Sequence, residues 1–224
     1  MLSDQGSGSW SWSYYALDWM AQRRQERPAV ASMSLGGSGT QQAMREAVDI
    51  AVNQGVVVVV AGGNDNDDSC KFSPAFVPSA ITVGSTTSRD ARSSFSNWGA
   101  CTNICAPGSD VMSASHTCDT GSTSLSGTSM ACPHVSGAAA IVLQENPSMK
   151  SSAVLQAMQD SSFANGISGL YNSDTNKLLF VGAGGAPPNT NPLPVGPEPP
   201  RGSCVNGCQP EYCRFSACAG CSYC

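Results

Sequence analysis

Five consecutive valines, Val56–Val60, preceded by Gly55 and closed by Ala61, constrain this chain more than any other feature. A run so apolar and β-branched is too short for a helix and far too short to span a bilayer, so it reads as a strand buried on both faces. Such strands belong to parallel sheets covered by helices on either side. The flanking pattern agrees. Ala29–Leu35 is a second short apolar run, and an amphipathic helix separates the two. Thr40 is its expected N-cap, Ala43, Met44, Ala47, Val48 and Ala51 form one stripe, and Gly55 ends it. Strand, helix and strand make a right-handed βαβ unit. Further strands are expected at Ala80–Gly84, Ile104–Ala106 and Lys177–Gly182. Helices are expected at Ser11–Arg23, with Trp12, Ala16, Trp19 and Met20 inward, and at Thr128–Gln144 and Met149–Ser161. The expected fold class is α/β, a mostly parallel sheet with helices on both faces.

Hydrophobic residues make up 41% of the 224 residues and charged ones 12%, a globular composition. The net charge of −5 argues against nucleic acid or an anionic membrane as the main partner. Composition shifts near residue 185. Seven of the 14 prolines lie between Pro187 and Pro200, which reads as an extended linker. The expected organisation is therefore a folded domain over residues 1–185, a proline-rich linker over 186–203 and a cysteine-rich tail over 204–224. The tail holds six of the eleven cysteines, a density that suits an oxidising, extracellular setting, although no signal peptide is visible at Met1. Three tail disulfides are expected; a zinc site at Cys218, Cys221 and Cys224 is the weaker alternative.

The chemistry concentrates in Gly127-Thr128-Ser129-Met130-Ala131-Cys132-Pro133-His134-Val135-Ser136-Gly137. This string sets a serine at the start of a helix, where the dipole and the serine's own N–H can face a developing oxyanion. Pro133 removes the N–H that would bond the Ser129 carbonyl. Small residues at Ser136–Ala140 allow close packing. A capping serine on a buried helix is the plainer alternative, but the whole string resembles the nucleophile motif of the subtilisin-like serine proteases.

That resemblance extends along the chain. Val60-Ala61-Gly62-Gly63-Asn64 is similar to the segment whose asparagine donates to the oxyanion. Ser34-Leu35-Gly36 and Ala61-Gly62-Gly63 resemble the two walls of the primary specificity pocket. Gly6-Ser7-Gly8 resembles the opposing substrate strand, beside which Trp10 would border an apolar subsite. Cys70–Ala75, Ile81–Gly84, Ser93–Gly99 and Ala106–Gly108 follow the order of the proteinase K and aqualysin branch. The resemblance implies an endopeptidase with Ser129 as nucleophile and Asn64 as oxyanion donor, a monomer that takes peptide substrates and needs no cofactor for chemistry. It also implies a Cys70–Cys101 disulfide, which leaves Cys105 to pair with Cys118 and Cys132 as a free thiol.

Two departures qualify this. The family's catalytic aspartate and histidine precede the oxyanion asparagine, yet no histidine precedes Asn64. The chain is thus expected to resemble the C-terminal two-thirds of the domain, without its base and with a sheet edge near Ala29–Leu35. Of the two histidines, His134 lies about 140° around the helix from Ser129, and His116 reads as a loop residue. The branch also has a calcium site matching the carbonyls of Pro78 and Ala80 plus an aspartate. Asn103 stands at the aspartate's position, so that site is expected to be weakened or lost. Asp65, Asp67 and Asp68 read as a solvated acidic loop before they read as a metal site.

Overall fold

The structure, a computed structural model, describes residues 3, 6–23, 28–115, 120–171 and 174–182. The linker, the tail, His116 and Cys118 lie outside the described residues. In chain order the elements are α1 (Trp10–Arg23), β1 (Ala29–Met33), β2 (Gly37–Ser38), α2 (Gln42–Asn53), β3 (Val56–Ala61), β4 (Phe72–Ser73), β5 (Ile81–Thr86), β6 (Ile104–Pro107), β7 (Val111–Ala114), β8 (Ser122–Leu125), α3 (Thr128–Glu145), α4 (Ser151–Ser161), β9 (Phe163–Ala164) and β10 (Lys177–Leu178).

The main sheet runs β1-β3-β5-β6-β10-β9, parallel except for the β9/β10 pair. The valine run is the second strand of this order, between β1 and β5, with every residue buried. Its alternation divides the core. Val57 and Val59 pack with Ala131, Val135, Ala139, Leu143, Val154 and Met158 from α3 and α4. Val56, Val58 and Val60 pack with Leu17, Ala21, Met44, Val48 and Ala51 from α1 and α2. A strand with both faces buried tolerates no polar alternation, which is why the sequence shows none. Among the described residues, β1 forms one edge of this sheet. The short β2 and β4 pair antiparallel beside it. Residues 110–125 form a unit of their own, in which β7 and β8 pair antiparallel from Val111↔Leu125 to Ala114↔Ser122.

Three local expectations are corrected. First, α1 buries Ser13, Leu17 and Ala21, while Trp12 and Trp19 are about half exposed. The face that packs towards α2 carries Leu17 and Ala21, so the indoles face outward, and the Arg23 guanidinium lies 4.6 Å from the centroid of the Trp19 ring. Second, Thr40 does not cap α2. The cap position is Gln41, whose side chain makes no capping bond and whose N–H instead donates to Ser73 Oγ at 2.8 Å. Ala43 also falls outside the buried stripe of Met44, Val48 and Ala51. Third, Cys105 is a free, buried thiol and not a disulfide partner of Cys118. It stands in register with Gly84, and a Cβ on Gly84 would come within 2.8 Å of its sulfur. The thiol therefore points into the packed interior, where burial pushes its pKa up to about 12.

Candidate active site

Ser129 is the second residue of α3, and Asn64 follows the end of β3. Thr128 joins them. Its backbone N–H donates to Asn64 Oδ1 at 2.8 Å, and its hydroxyl donates to the same oxygen at 2.9 Å while accepting from the Gly63 N–H at 3.1 Å. Because a backbone N–H can only donate, the amide oxygen of Asn64 must face Thr128, which turns Nδ2 the other way. A Cβ built on Gly127 would lie 3.5 Å from Asn64 Nδ2 and 3.6 Å from the Ser129 nitrogen. Two nitrogens thus lie within 3.6 Å of one point beside Gly127.

Behind the donors stands Asn97, almost fully buried. Its Oδ1 accepts from Asp65 N–H at 2.9 Å and Asp67 N–H at 3.1 Å, its Nδ2 donates to Gly62 O at 3.0 Å, and its own N–H donates to Gly63 O at 2.9 Å. Gly63, at φ +106°, leaves no room for a side chain here, since a Cβ would meet Asn97 Nδ2 at 2.2 Å. The disulfide Cys70–Cys101 links the loop after Asn64 to the segment after Asn97.

On the nucleophile side, Ser34 and Ser129 clasp each other. Ser34 Oγ donates to the Ser129 carbonyl at 2.8 Å, and Ser129 Oγ donates to the Ser34 carbonyl at 3.3 Å. The first bond fills the acceptor that Pro133 leaves empty one turn later. His134 Nδ1–H donates to Met130 O at 2.8 Å on the exposed side of α3, away from Ser129. Cys132 is free and buried under the same helix, its sulfur 3.5 Å from Val59 O, and burial raises its pKa.

Two clefts meet at Ser129 and Asn64. One, of about 310 Å³, has Leu35–Gly37 and Ala61–Gly63 as walls and is closed by Ser38, Asp65, Phe72 and Ser73. The other, of about 470 Å³, lies between Gly6–Trp10 and Ser34–Gly36. Trp10 packs on Gly37, where a Cβ would come within 3.1 Å of the indole. The structure therefore brings together all the cleft residues expected from sequence, although Ser34 lines the second cleft and not the first.

At the position of the branch's calcium aspartate, Asn103 brings a neutral amide, whose Oδ1 accepts the Thr82 N–H at 2.7 Å. In the acidic loop, Asp67 accepts from Lys71 Nζ and from Asp68 N–H, both at 2.7 Å. The Lys71 bond, then the backbone bond, hold its carboxyl below the usual range. Asp68 accepts the Cys70 N–H at 3.0 Å.

Sequence reading missed Thr128, Asn97 and the Ser34 hydroxyl as parts of this site. The usable signal was Pro133, which leaves a carbonyl without its helical donor and so calls for an outside one.

Residues 1–185 match the Subtilase family of peptidases. The chain belongs to that family. Subtilases similar to it include the "Extracellular serine proteinase" of Thermus sp. (strain Rt41A), 48% identical over 81% of this chain and 44% of the relative. The "Alkaline serine exoprotease A" of Vibrio alginolyticus is 49% identical over 80% of this chain and 33% of the relative. Among solved structures, a cold adapted subtilisin-like serine proteinase superposes with a TM-score of 0.76 at 47% identity, covering 80% of this chain and 64% of that one. The chain thus spans less than half the length of these two curated subtilases.

Proposed function

We propose that this subtilase site carries out serine endopeptidase chemistry, with Ser129 as nucleophile and the Ser129 N–H and Asn64 Nδ2 as oxyanion donors. The observation that supports the reading is the Asn64 amide, its oxygen held by Thr128, with Nδ2 and the Ser129 nitrogen both within 3.6 Å of one point beside Gly127. A peptide would lie as an added strand between Gly6–Gly8 and Ser34–Gly36, its side chains entering the two clefts. Ser129 Oγ attacks the carbonyl carbon as a base takes its proton, the carbonyl oxygen becomes the oxyanion, the C–N bond breaks as the amine receives that proton, and water then cleaves the acyl-enzyme to the acid and returns a proton to Ser129. The chemistry calls for no cofactor. The disulfide and the extracellular name of the Thermus relative support a setting outside the cell.

Attack on an amide also needs a base at Ser129 Oγ, and among the described residues no imidazole reaches it. The 224-residue chain alone is therefore a peptide-binding cleft with a nearly silent nucleophile, since loss of the triad histidine costs ~10⁶ in kcat. Fluorophosphonate labelling tests this. Ser129 should label at least ~10⁴-fold more slowly than the serine of the intact Thermus relative, and an equal rate would overturn it. An activated ester, whose leaving group needs no proton, tests the donors. Acylation of Ser129 should fall ~10²-fold in Asn64→Leu. No Ser129-dependent acylation at all would favour a binding module without catalytic descent.

A further inference from the structure

We infer that a cleft at the start of α4 binds the phosphate or sulfate group of a ligand, at the opposite end of β3 from Ser129. The cleft, of about 480 Å³, is lined by the end of α2, the segment that leads into β5 and the first turn of α4. Gly55, just before β3, belongs to this cleft, and Ala61, its last residue, belongs to the candidate active site. The six residues of the strand therefore set the two ~20 Å apart.

α4 begins here without a cap. Lys150 holds the N-cap position, and its side chain makes no capping bond. The Val154 N–H is the first of the helix to reach a carbonyl, that of Lys150 at 3.0 Å, so the N–H groups of Ser151, Ser152 and Ala153 lack helical partners. An unfilled N-terminus alone is common, and water serves it. Ser151 makes this one different. It is 4% exposed, it lines the cleft, and its hydroxyl makes no hydrogen bond with any described residue. A buried hydroxyl without a partner costs free energy that a bound acceptor would recover.

The charge agrees. Lys150 is the one charged side chain that lines the cleft, and it forms no ion pair with any described residue. Its ammonium, the free N–H groups and the hydroxyls of Ser148, Ser151 and Ser152 can all donate, and the helix dipole adds positive potential. A tetrahedral oxyanion presents more oxygens to such a set, at diverging angles, than a planar carboxylate does. Val52, Ile81 and Leu155 line the rest, so an ester with an apolar body would use the remaining volume. Pro78 and Ala80 also line the cleft. Their carbonyls would attract a cation instead, which makes calcium the competitor to test.

The full 224-residue chain is titrated at constant ionic strength with sodium phosphate, sodium sulfate, phenyl phosphate and, separately, calcium chloride, and Kd is read from amide chemical shifts. Phosphate and sulfate should give saturable shifts at Ser152 and Ala153 and leave Asn64 and Ser129 unmoved. Phenyl phosphate binding ~3–10-fold more tightly than phosphate supports the site and identifies an ester as its ligand. Equal affinity supports the site and identifies the free ion. Ser151→Pro removes the hydroxyl and the N–H together, at a first helical position that Lys150 already precedes in extended backbone, with φ −78° and ψ 156°. It should weaken phosphate at least ~10-fold. Ser151→Ala, which keeps the N–H, should weaken it ~3–5-fold, and Lys150→Gln ~2–5-fold. Three results overturn the inference: shifts that grow linearly with phosphate and never saturate, affinity unchanged in both Ser151 variants, or shifts at this cleft with calcium chloride alone. Water or a cation then satisfies the cleft.

Discussion

Asn64 and Ser129 meet beside Gly127, but the two halves of the site are held in place very differently. The donor half is tied down by Thr128, which bonds Asn64 Oδ1 twice, and by Asn97, which makes four hydrogen bonds across residues 62–67. The serine half rests on Ser34 alone, whose Oγ donates to the Ser129 carbonyl at 2.8 Å and whose carbonyl accepts from Ser129 Oγ at 3.3 Å. On the proposed reading, the contrast teaches that oxyanion donors are held by their own neighbours, whereas the reactivity of the hydroxyl depends on a proton acceptor that the described residues around it do not supply.

The strongest way to break this contrast is Asn97→Ala. It strips three side-chain bonds from the donor loop and leaves the N–H groups of Asp65 and Asp67 and the Gly62 carbonyl without partners. A stability loss of about 3–5 kcal/mol is expected in urea unfolding, together with loss of the ester acylation that depends on Asn64. A loss under 1 kcal/mol would mean that water replaces the side chain and that the donor half is not over-determined. Ser34→Ala tests the other half and should cost less, about 1–2 kcal/mol, because one carbonyl is orphaned at the first turn of α3. Acylation at Ser129 should fall along with stability. If Ser34→Ala costs as much as Asn97→Ala, the two halves are equally anchored.

Alkaline pH gives the smallest effect. Burial raises the Cys132 pKa, so the folded state favours the neutral thiol and the unfolded chain ionises first. The stability that this difference contributes is complete below pH about 9, the ordinary thiol value, and is lost as pH rises above it. Cys105, pushed up to about 12, acts in the same direction across pH 9–12, so the comparison is between Cys132→Ala and its parent. The parent's melting temperature should fall more steeply above pH 9 than that of the variant. Parallel slopes would show that the thiol under the nucleophile helix ionises as freely folded as unfolded.

Much of the fold was legible because its signals are local. The valine run was assigned from Val56 to Ala61, and the helix after Gly127 from Thr128, because burial on both faces and a glycine before a small-residue helix are written in neighbouring positions. Glycines marked the cleft for the same reason. What stayed hidden depends on partners distant in sequence. Asn97 lies 30 to 35 residues from the groups it braces, Ser34 lies 95 from the carbonyl it fills, and the register that buries Cys105 against Gly84 is set by strand pairing. In α1 the expected inward face held Trp12 and Trp19, but packing with α2 in one core cluster buries Leu17 and Ala21 instead.

The outer side of β1 has a practical meaning of its own. Along Ala29–Met33, no described strand takes up the backbone groups facing away from β3. Exposed Trp12, Tyr15 and Trp19 lie on α1, the helix that packs beside this strand. An open parallel edge with aromatic surface nearby is a template on which another chain can lay a strand. Protein concentration is therefore a variable to hold fixed when this molecule is assayed.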